Sequence, residues 1–427
     1  MTDRLRAGLR RIAIDVAPFR VSRPFRRLWL GLAVSEFGYQ FTIVATFVQV
    51  NELTGSPAAV GLIGLVGLVG LVAGTLLGSA FLDHYDRRTI LLLAQVGFMV
   101  GAATLLAGAL RGDPPLALIY AAVALIAFVS AVDSPTRSAM TPRLVGHELL
   151  PAAITLNQVV WNGTGLLGPA VAGIVIARSG IATAYAVDLV TYVAILWAAF
   201  LLPKMEPERR EDAPRGWAAV TEGFRFLKGR PVIQSTFTVD IIAMVFGMPR
   251  ALFPILAATQ FGRGAEVVGL LFAAPAVGAL AGALTAGWVG GVRRQGAAVL
   301  WAVVLWGAGI AAFGLVGDHL PLALALLAFA GAADVVSAVF RGTILQVSVP
   351  DALRGRMGAI HTLVVTGGPR LGDLEAGLVA QAFSPAASVI SGGVLCILGT
   401  AALAVLVPAF RRYDARAASG GPEPSAT

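Results

Sequence analysis

The residues of this chain able to do chemistry are a handful of charges stranded inside apolar runs: Glu36, Asp133, Asp188, Asp240, Arg250, Asp334, Arg341, Arg370, Asp373 and Glu375. An ionisable side chain near a bilayer centre costs roughly 2.5 to 3.5 kcal/mol on insertion scales, so it ordinarily faces a wet cavity or an opposite charge. Three uses follow. Such charges pair between helices, recognise an anionic solute through arginine, or bind a proton reversibly as a carboxylate that is neutral when buried and ionised when wet. Glu36 is the first proton-coupling candidate, because its own apolar run contains no basic residue, and Asp373 and Glu375 come next. Asp133, Asp240, Arg250, Asp334, Arg341 and Arg370 make the expected substrate or charge network, in which the three arginines suit a catecholate, carboxylate or phosphate group. Asp334 and Arg341 share one helical face about two turns apart, within one cavity but not in contact. Asp240 and Arg250 are too far apart on their helix to pair, so each is expected to meet a charge on another helix.

Chemistry of other kinds finds no support. There is no Gly-rich phosphate loop followed by Lys-Ser or Lys-Thr, so nucleotide hydrolysis is not expected. His84, His147, His319 and His361 lack metal-ligand spacing. The single cysteine, Cys396, permits neither a disulfide framework nor a thiolate metal site. The chain is therefore expected to be no enzyme, with no cofactor and no metal. Of the aromatics, Phe37, Tyr39, Trp161, Tyr185, Phe246 and Phe253 have the faces to stack on a ring, though lipid-facing or core positions suit most of them.

The elements that position these charges follow from composition. The 427 residues are 57% hydrophobic and 13% charged, against about a quarter charged in soluble domains, and the mean hydropathy is +0.80. Apolar runs of roughly 20 residues, the length that spans a bilayer as helix, recur near 28–50, 58–82, 90–110, 116–140, 150–177 and 181–202. A second set lies near 232–258, 267–290, 297–316, 320–347, 357–381 and 385–407. The expected fold is thus an all-α membrane protein with twelve transmembrane helices in two pseudo-symmetric six-helix bundles. Around them the expected parts are a basic N-terminal segment (1–27), bundles at 28–202 and 232–409, a linker (203–231) with a surface helix around Trp217, Phe224 and Phe226, and a tail (410–427).

Charge orients these spans. A net charge of +8 without aromatic interleaving does not read as nucleic-acid binding. Most basic residues, including Arg10, Arg11, Arg87, Arg88, Arg210, Arg293 and Arg354, fall at the N-terminus, in alternate loops and in the tail, whereas the opposite loops hold Arg111, Arg178 and Arg263. The positive-inside rule then places both termini in the cytoplasm of a bacterial inner membrane.

The halves also repeat at an offset of roughly 200 residues. Val60-Gly61-Leu62 with Ala73-Gly74 recurs as Val268-Gly269-Leu270 with Ala281-Gly282. Asp133 after Ala127-Phe128 matches Asp334 after Ala328-Phe329, and Thr164, Gly168, Ala172 and Gly173 match Gly368, Gly372, Ala376 and Gly377. Asp373 and Glu375 stand where the first half has Pro169 and Val171.

The loop Ser79 to Arg88 sets Asp83 before the pair Arg87-Arg88. With six plus six spans and a long middle linker, the chain resembles the major facilitator superfamily over essentially its whole length. That resemblance implies a cytoplasmic gate at Asp83, Arg87 and Arg88, although Ser79 and Asp86 replace glycines of the general pattern and the matching loop, Gly291 to Arg294, is degraded. Thr164, Gly168, Pro169, Ala172 and Gly173 are similar to the glycine-proline motif of proton-coupled antiporters, which implies export. The segments Glu222 to Leu227, Leu252-Phe253-Pro254, Val268 to Gly287, Leu353 to Arg356 and Gly372 to Gly377 resemble the enterobactin-exporter branch. The function this implies is proton-antiport export of a siderophore or drug-like amphiphile by alternating access. A lipid or lysolipid flippase and a transport-inactive receptor or scaffold are the alternatives. Expected partners are the small solute, protons and membrane lipids, with no nucleic acid and a monomeric chain.

Overall fold

A bilayer offers the backbone no hydrogen-bond partners, so a spanning chain satisfies its own amides as helix or closed barrel. The computed structural model describes residues 15–82, 85–205 and 225–414, and the regular structure among them is entirely helical. Its long elements are α1 (Arg23–Thr54), α2 (Pro57–Leu82), α3 (Arg87–Arg111), α4 (Leu116–Ser179), α5 (Ile181–Phe200) and α6 (Pro231–Phe246) with its continuation α7 (Phe253–Thr259). They are followed by α8 (Ala265–Leu284), α9 (Gln295–Leu315), α10 (Leu320–Ser348), α11 (Asp351–Ala382) and α12 (Pro385–Leu406). Residues 1–14, Asp83, His84, residues 206–224 with Trp217 and Phe224, and the tail from 415 lie outside the described residues.

Among the described residues, ten helical segments are long and apolar enough to cross a membrane. One of them, α4, runs 64 residues and bends at Gly146, whose φ of 76° is open to glycine and strained for other residues. It holds two of the expected spans. The charged α11, 32 residues long, accounts for the remaining one, and Arg370, Asp373 and Glu375 are what lower its apolar character. With α4 holding two, eleven of the twelve expected spans fall in such segments among the described residues, and the twelfth is expected in α11.

Helix ends are set by local chemistry. Ser22 caps α1 by accepting from the Phe25 amide, and Gly55 ends that helix in the left-handed conformation. Asp86 caps α3 through the Thr89 amide and also accepts from the Met205 amide, which ties this turn to the chain beyond α5. Ser384 caps α12. Alternate connections define two ends of the bundle. One carries Arg87, Arg88, Arg293 and Arg294 and is the arginine-rich end; the other, formed by short links such as 55–56 and 383–384, is the short-loop end.

In the first half α1 packs on α4 and α5, α2 on α4, and α3 on α4 and α5. In the second, α8 and α9 pack on α10, α9 on α12, and α11 on α6 and α12. The halves meet mainly through α2 against α11 and α4 against α8. These are the same contact twice, since the repeat equates α2 with α8 and the later arm of α4 with α11. At their crossings a Cβ on Gly61 would lie 3.1 Å from the Gly377 Cα, and one on Gly173 would lie 3.0 Å from the Gly269 Cα. Four of the glycines that reveal the repeat in sequence, Gly61, Gly173, Gly269 and Gly377, are thus points where the halves touch.

Candidate transport site

Each half holds one equivalent group of charges. In the first, Arg137 on α4 reaches Glu36 on α1 at 3.1 Å and Asp133 at 2.8 Å, and the Gln95 amide donates to the other Asp133 oxygen at 2.9 Å. In the second, Arg341 on α10 pairs with Asp240 on α6 and lies 3.6 Å from Asp334. A carboxylate on the first helix and an Asp with an Arg on the fourth occur in both. Two expectations change here. Glu36 is not without a cation, because Arg137 comes from a neighbouring helix; the Arg137 signal in sequence was its place four residues after Asp133, one helical turn on the same face. Asp334 and Arg341 do make contact, since helical side chains lean toward the N-terminus and a long guanidinium reaches back about two turns.

The expectation that Asp240 and Arg250 pair on other helices is met, Arg250 through Asp373 at 2.7 Å. Its position depends on a break. After α6 ends at Phe246, Gly247, Met248 and Pro249 interrupt the helix, and Arg250 to Leu252 form one 3-10 turn before α7 resumes. Proline denies the amide that continuous helix would need, so the chain turns and Arg250 points at α11. There Gly372 lets α11 approach the backbone of Met244 and Val245, where a Cβ would crowd the Val245 carbonyl oxygen at 3.0 Å.

Between the halves lies a cavity of about 120 Å³ lined by α1, α2, the first arm of α4, the Arg250 turn and α11. Its polar wall is Tyr39, Thr42, Thr46, Arg250, Arg370 and Asp373. Arg370 donates at 3.4 Å to the Thr366 carbonyl of its own helix and has no carboxylate within ion-pair distance among the described residues. With Asp373 balanced by Arg250, the wall keeps one positive charge in excess, which suits an anionic group. Arg341, buried between two carboxylates, does not line this cavity.

The cavity is shut toward the short-loop end. Phe47 on α1 meets Phe272 on α8 at 5.5 Å, Phe272 meets Phe253 at 5.0 Å, and the Ser56 hydroxyl donates to Gln381 at 2.8 Å. Toward the arginine-rich end the halves part. The stripe of α4 that touches α8 at Pro169 and Gly173 continues to Gly165, which has nothing near it among the described residues, and to Trp161, 64% exposed. A valine at Gly61 would wedge the closed end, costing about 1–3 kcal/mol in this arrangement. Labelling of Ser56→Cys by an impermeant maleimide is therefore expected to rise about fivefold or more in Gly61→Val. Cys396, fully buried, leaves the background low; unchanged labelling would show that the wedge does not act.

The other expected residues fall as follows. Thr164 bonds back to the Val160 carbonyl at 2.8 Å, Gly168 admits Gln40 of α1, Ala172 is buried, and Pro169 and Gly173 face Gly269. The glycine-proline motif is thus the seam between α1 and α8. Arg87 donates to the Ala139 carbonyl at 2.9 Å and Arg88 to that of Phe200 at 2.6 Å, at the end of α5, bonds that lie within the first half. Glu375 lies between Leu371 and Leu378 on the outer stripe of α11, where those leucines are 39% and 51% exposed, and away from the cavity wall. Asp188, fully buried on α5, accepts from the Thr42 hydroxyl at 2.5 Å.

A helical bundle of this kind, divided in two around a charged cavity, has counterparts among known proteins. A family model described as transmembrane secretion effector matches residues 13–426. The chain belongs to this family. It is a branch of the major facilitator superfamily, and the homologues that match the chain are membrane transporters rather than enzymes. The enterobactin exporter EntS of Shigella boydii serotype 18 is 29% identical over 403 residues, covering 94% of this chain and 95% of that protein. Its counterpart in Escherichia coli O139:H28 is 28% identical with the same coverage. In fold, a D-xylose-proton symporter superposes with a TM-score of 0.71 at 17% identity, covering 91% of this chain and 99% of that one. A bacterial homologue of the iron transporter ferroportin in an inward-facing state gives 0.70 at 14% identity, over 92% and 99%.

Proposed function

We propose that this transmembrane secretion effector family member is a secondary active transporter that exports a small organic molecule by alternating access, in exchange for protons. The observation that carries the proposal is the cavity between the halves, shut at the short-loop end and bearing in Arg370 a cation with no carboxylate within ion-pair distance among the described residues. The arginine-rich end is the cytoplasmic one by charge, with both termini on that side, so this arrangement is the one that loads solute from the cytoplasm. The positive excess at Arg250 and Arg370 selects an anionic group on a siderophore or amphiphile, in keeping with relatives that are enterobactin exporters. The bundles 28–202 and 232–409 rock about the Gly61–Gly377 and Gly173–Gly269 seams, and a single chain completes the cavity. Both arms are tested in everted vesicles with enterobactin as probe. Accumulation is expected when the interior is acid, and none when a protonophore collapses the gradient. Equal accumulation with and without the gradient would remove antiport, and no accumulation of enterobactin or any anionic amphiphile would remove export.

A further inference from the structure

We propose that Asp188 is the proton-binding residue of this transporter, reached from the central cavity through the hydroxyl of Thr42. The assignment rests on the proton-driven export proposed above and names the group that carries the proton.

Asp188 differs in its company from the carboxylates of the charge groups, and Glu375, which also has no cation within ion-pair distance among the described residues, stands on the outer stripe of α11 away from the cavity. Glu36 and Asp133 share Arg137, Asp240 and Asp334 share Arg341, and Asp373 holds Arg250. Protonating Asp373 would leave Arg250 without its counter-charge, which is expensive in a dry interior. In the two shared groups one proton leaves a one-to-one pair, but the carboxylate that takes it gives up its ionic contact with the arginine, whereas Asp188 has no such contact to lose. Asp188 has no cation within ion-pair distance among the described residues. Its Oδ2 accepts the Thr42 hydroxyl at 2.5 Å, and its Oδ1 is buried with no hydrogen-bond partner. An ionised carboxylate so placed is a bare charge with one donor, whereas the neutral acid carries no such cost.

The groups facing it are few. α1 presents Glu36, Tyr39 and Thr42, and α5 itself adds Tyr192; around Tyr192 stand Asp133 of α4, held by Arg137 and by Gln95 of α3, and Phe98 of α3, stacked on its ring at 5.5 Å. None is a cation directed at Asp188.

Thr42 supplies the route. Its side chain belongs to the cavity wall beside Tyr39, Thr46 and Arg370 while its hydroxyl bonds Asp188. A hydroxyl both donates and accepts, so the Thr42 proton passes to the Asp188 Oδ2 as Thr42 takes a replacement proton from cavity water, and the reverse releases it. Toward the short-loop end the polar seam of α1 and α5 continues. Thr46 donates to the Thr42 carbonyl at 2.7 Å, and the Tyr185 hydroxyl donates to Gln49 at 2.8 Å. The proton site and the solute cavity thus share one wall, α1.

The test uses full-length protein in lipid, with enterobactin as the transport probe and the infrared carbonyl stretch of a protonated carboxylic acid as the proton readout. Wild type is expected to show a protonated-carboxyl band that titrates with pH and is lost in Asp188→Asn. Asp188→Asn is expected to keep probe counterflow, which moves no net proton, and to lose accumulation driven by a pH gradient. Thr42→Val shifts the titration of the band and lowers driven accumulation, and Thr42→Ser restores both. If Asp188→Asn retains both the band and gradient-driven accumulation, the assignment is overturned while antiport stands. If wild type shows counterflow without any gradient response, antiport is what fails, and persistence of the band in Asp188→Asn still overturns the assignment on its own. Should Asp188→Asn not fold, an unshifted band in Thr42→Val overturns it.

Discussion

Arg341→Gln is expected to destabilise the second bundle by about 3–5 kcal/mol, because it strands Asp240 as an uncompensated charge in the interior. The side chains of Arg341 and Asp240 are 6% and 3% exposed, and Asp334 beside them is 34% exposed, so water cannot take over the role of the guanidinium at Asp240. Thermal unfolding of the purified protein in detergent should show a clear fall in Tm and a lower yield from membranes. Neutralising both partners together, Asp240→Asn with Arg341→Gln, is expected to recover much of the loss, since the one charge then left without its cation is Asp334, whose side chain is 34% exposed to water. Equal damage in the single and double variants would mean that packing, and not charge, is what Arg341 supplies. The surface pair Arg293 and Asp414, 3.4 Å apart with Arg293 67% exposed, provides the contrast: exposed pairs are worth about 0–1 kcal/mol, and Arg293→Gln should leave Tm nearly unmoved.

The second large effect is expected at Arg370, and on transport in place of stability. Arg370 lines the cavity and, among the described residues, bonds only to the Thr366 carbonyl of its own helix, so removing its charge leaves none of their buried carboxylates stranded. A hydrogen bond to a charged group is worth about 1.5–3 kcal/mol, so Arg370→Gln should raise the KM for enterobactin by about tenfold or more with the fold intact. Arg370→Lys keeps the charge but not the planar fork and should fall between. A KM unchanged in Arg370→Gln would show that the anionic group of the solute binds elsewhere.

How much of this is visible in sequence depends on whether the signal is local. Span positions are, because each apolar run answers to the thickness of the bilayer by itself. The repeat is too, and it carries more than symmetry: Gly61 with Gly269, and Gly173 with Gly377, recur because each is pressed against a partner of the other set. Charge partnership is not local. Glu36 has no basic residue in its own run, yet Arg137, 101 residues further on, sits beside it. Asp240 and Arg250, ten residues apart on one stretch of chain, serve two different arginine–aspartate pairs, with Arg341 and with Asp373. Only one helix packed against another reveals which carboxylate has a cation and which does not.

The amino-acid sequence determined that this chain lies in a membrane, roughly where its spans fall, that its two halves are alike, and which superfamily it belongs to, since apolar length, glycine and proline act on their own neighbourhoods. Tertiary structure alone decided the pairing of its buried charges, the closing of one end by Phe47, Phe253 and Phe272, and the separation of Glu375 from the cavity although it stands two residues from Asp373. The physical reason is that a helix turns about 100° per residue, so neighbours in sequence face different surroundings, and the field around a charge is set by whichever helices come to lie beside it.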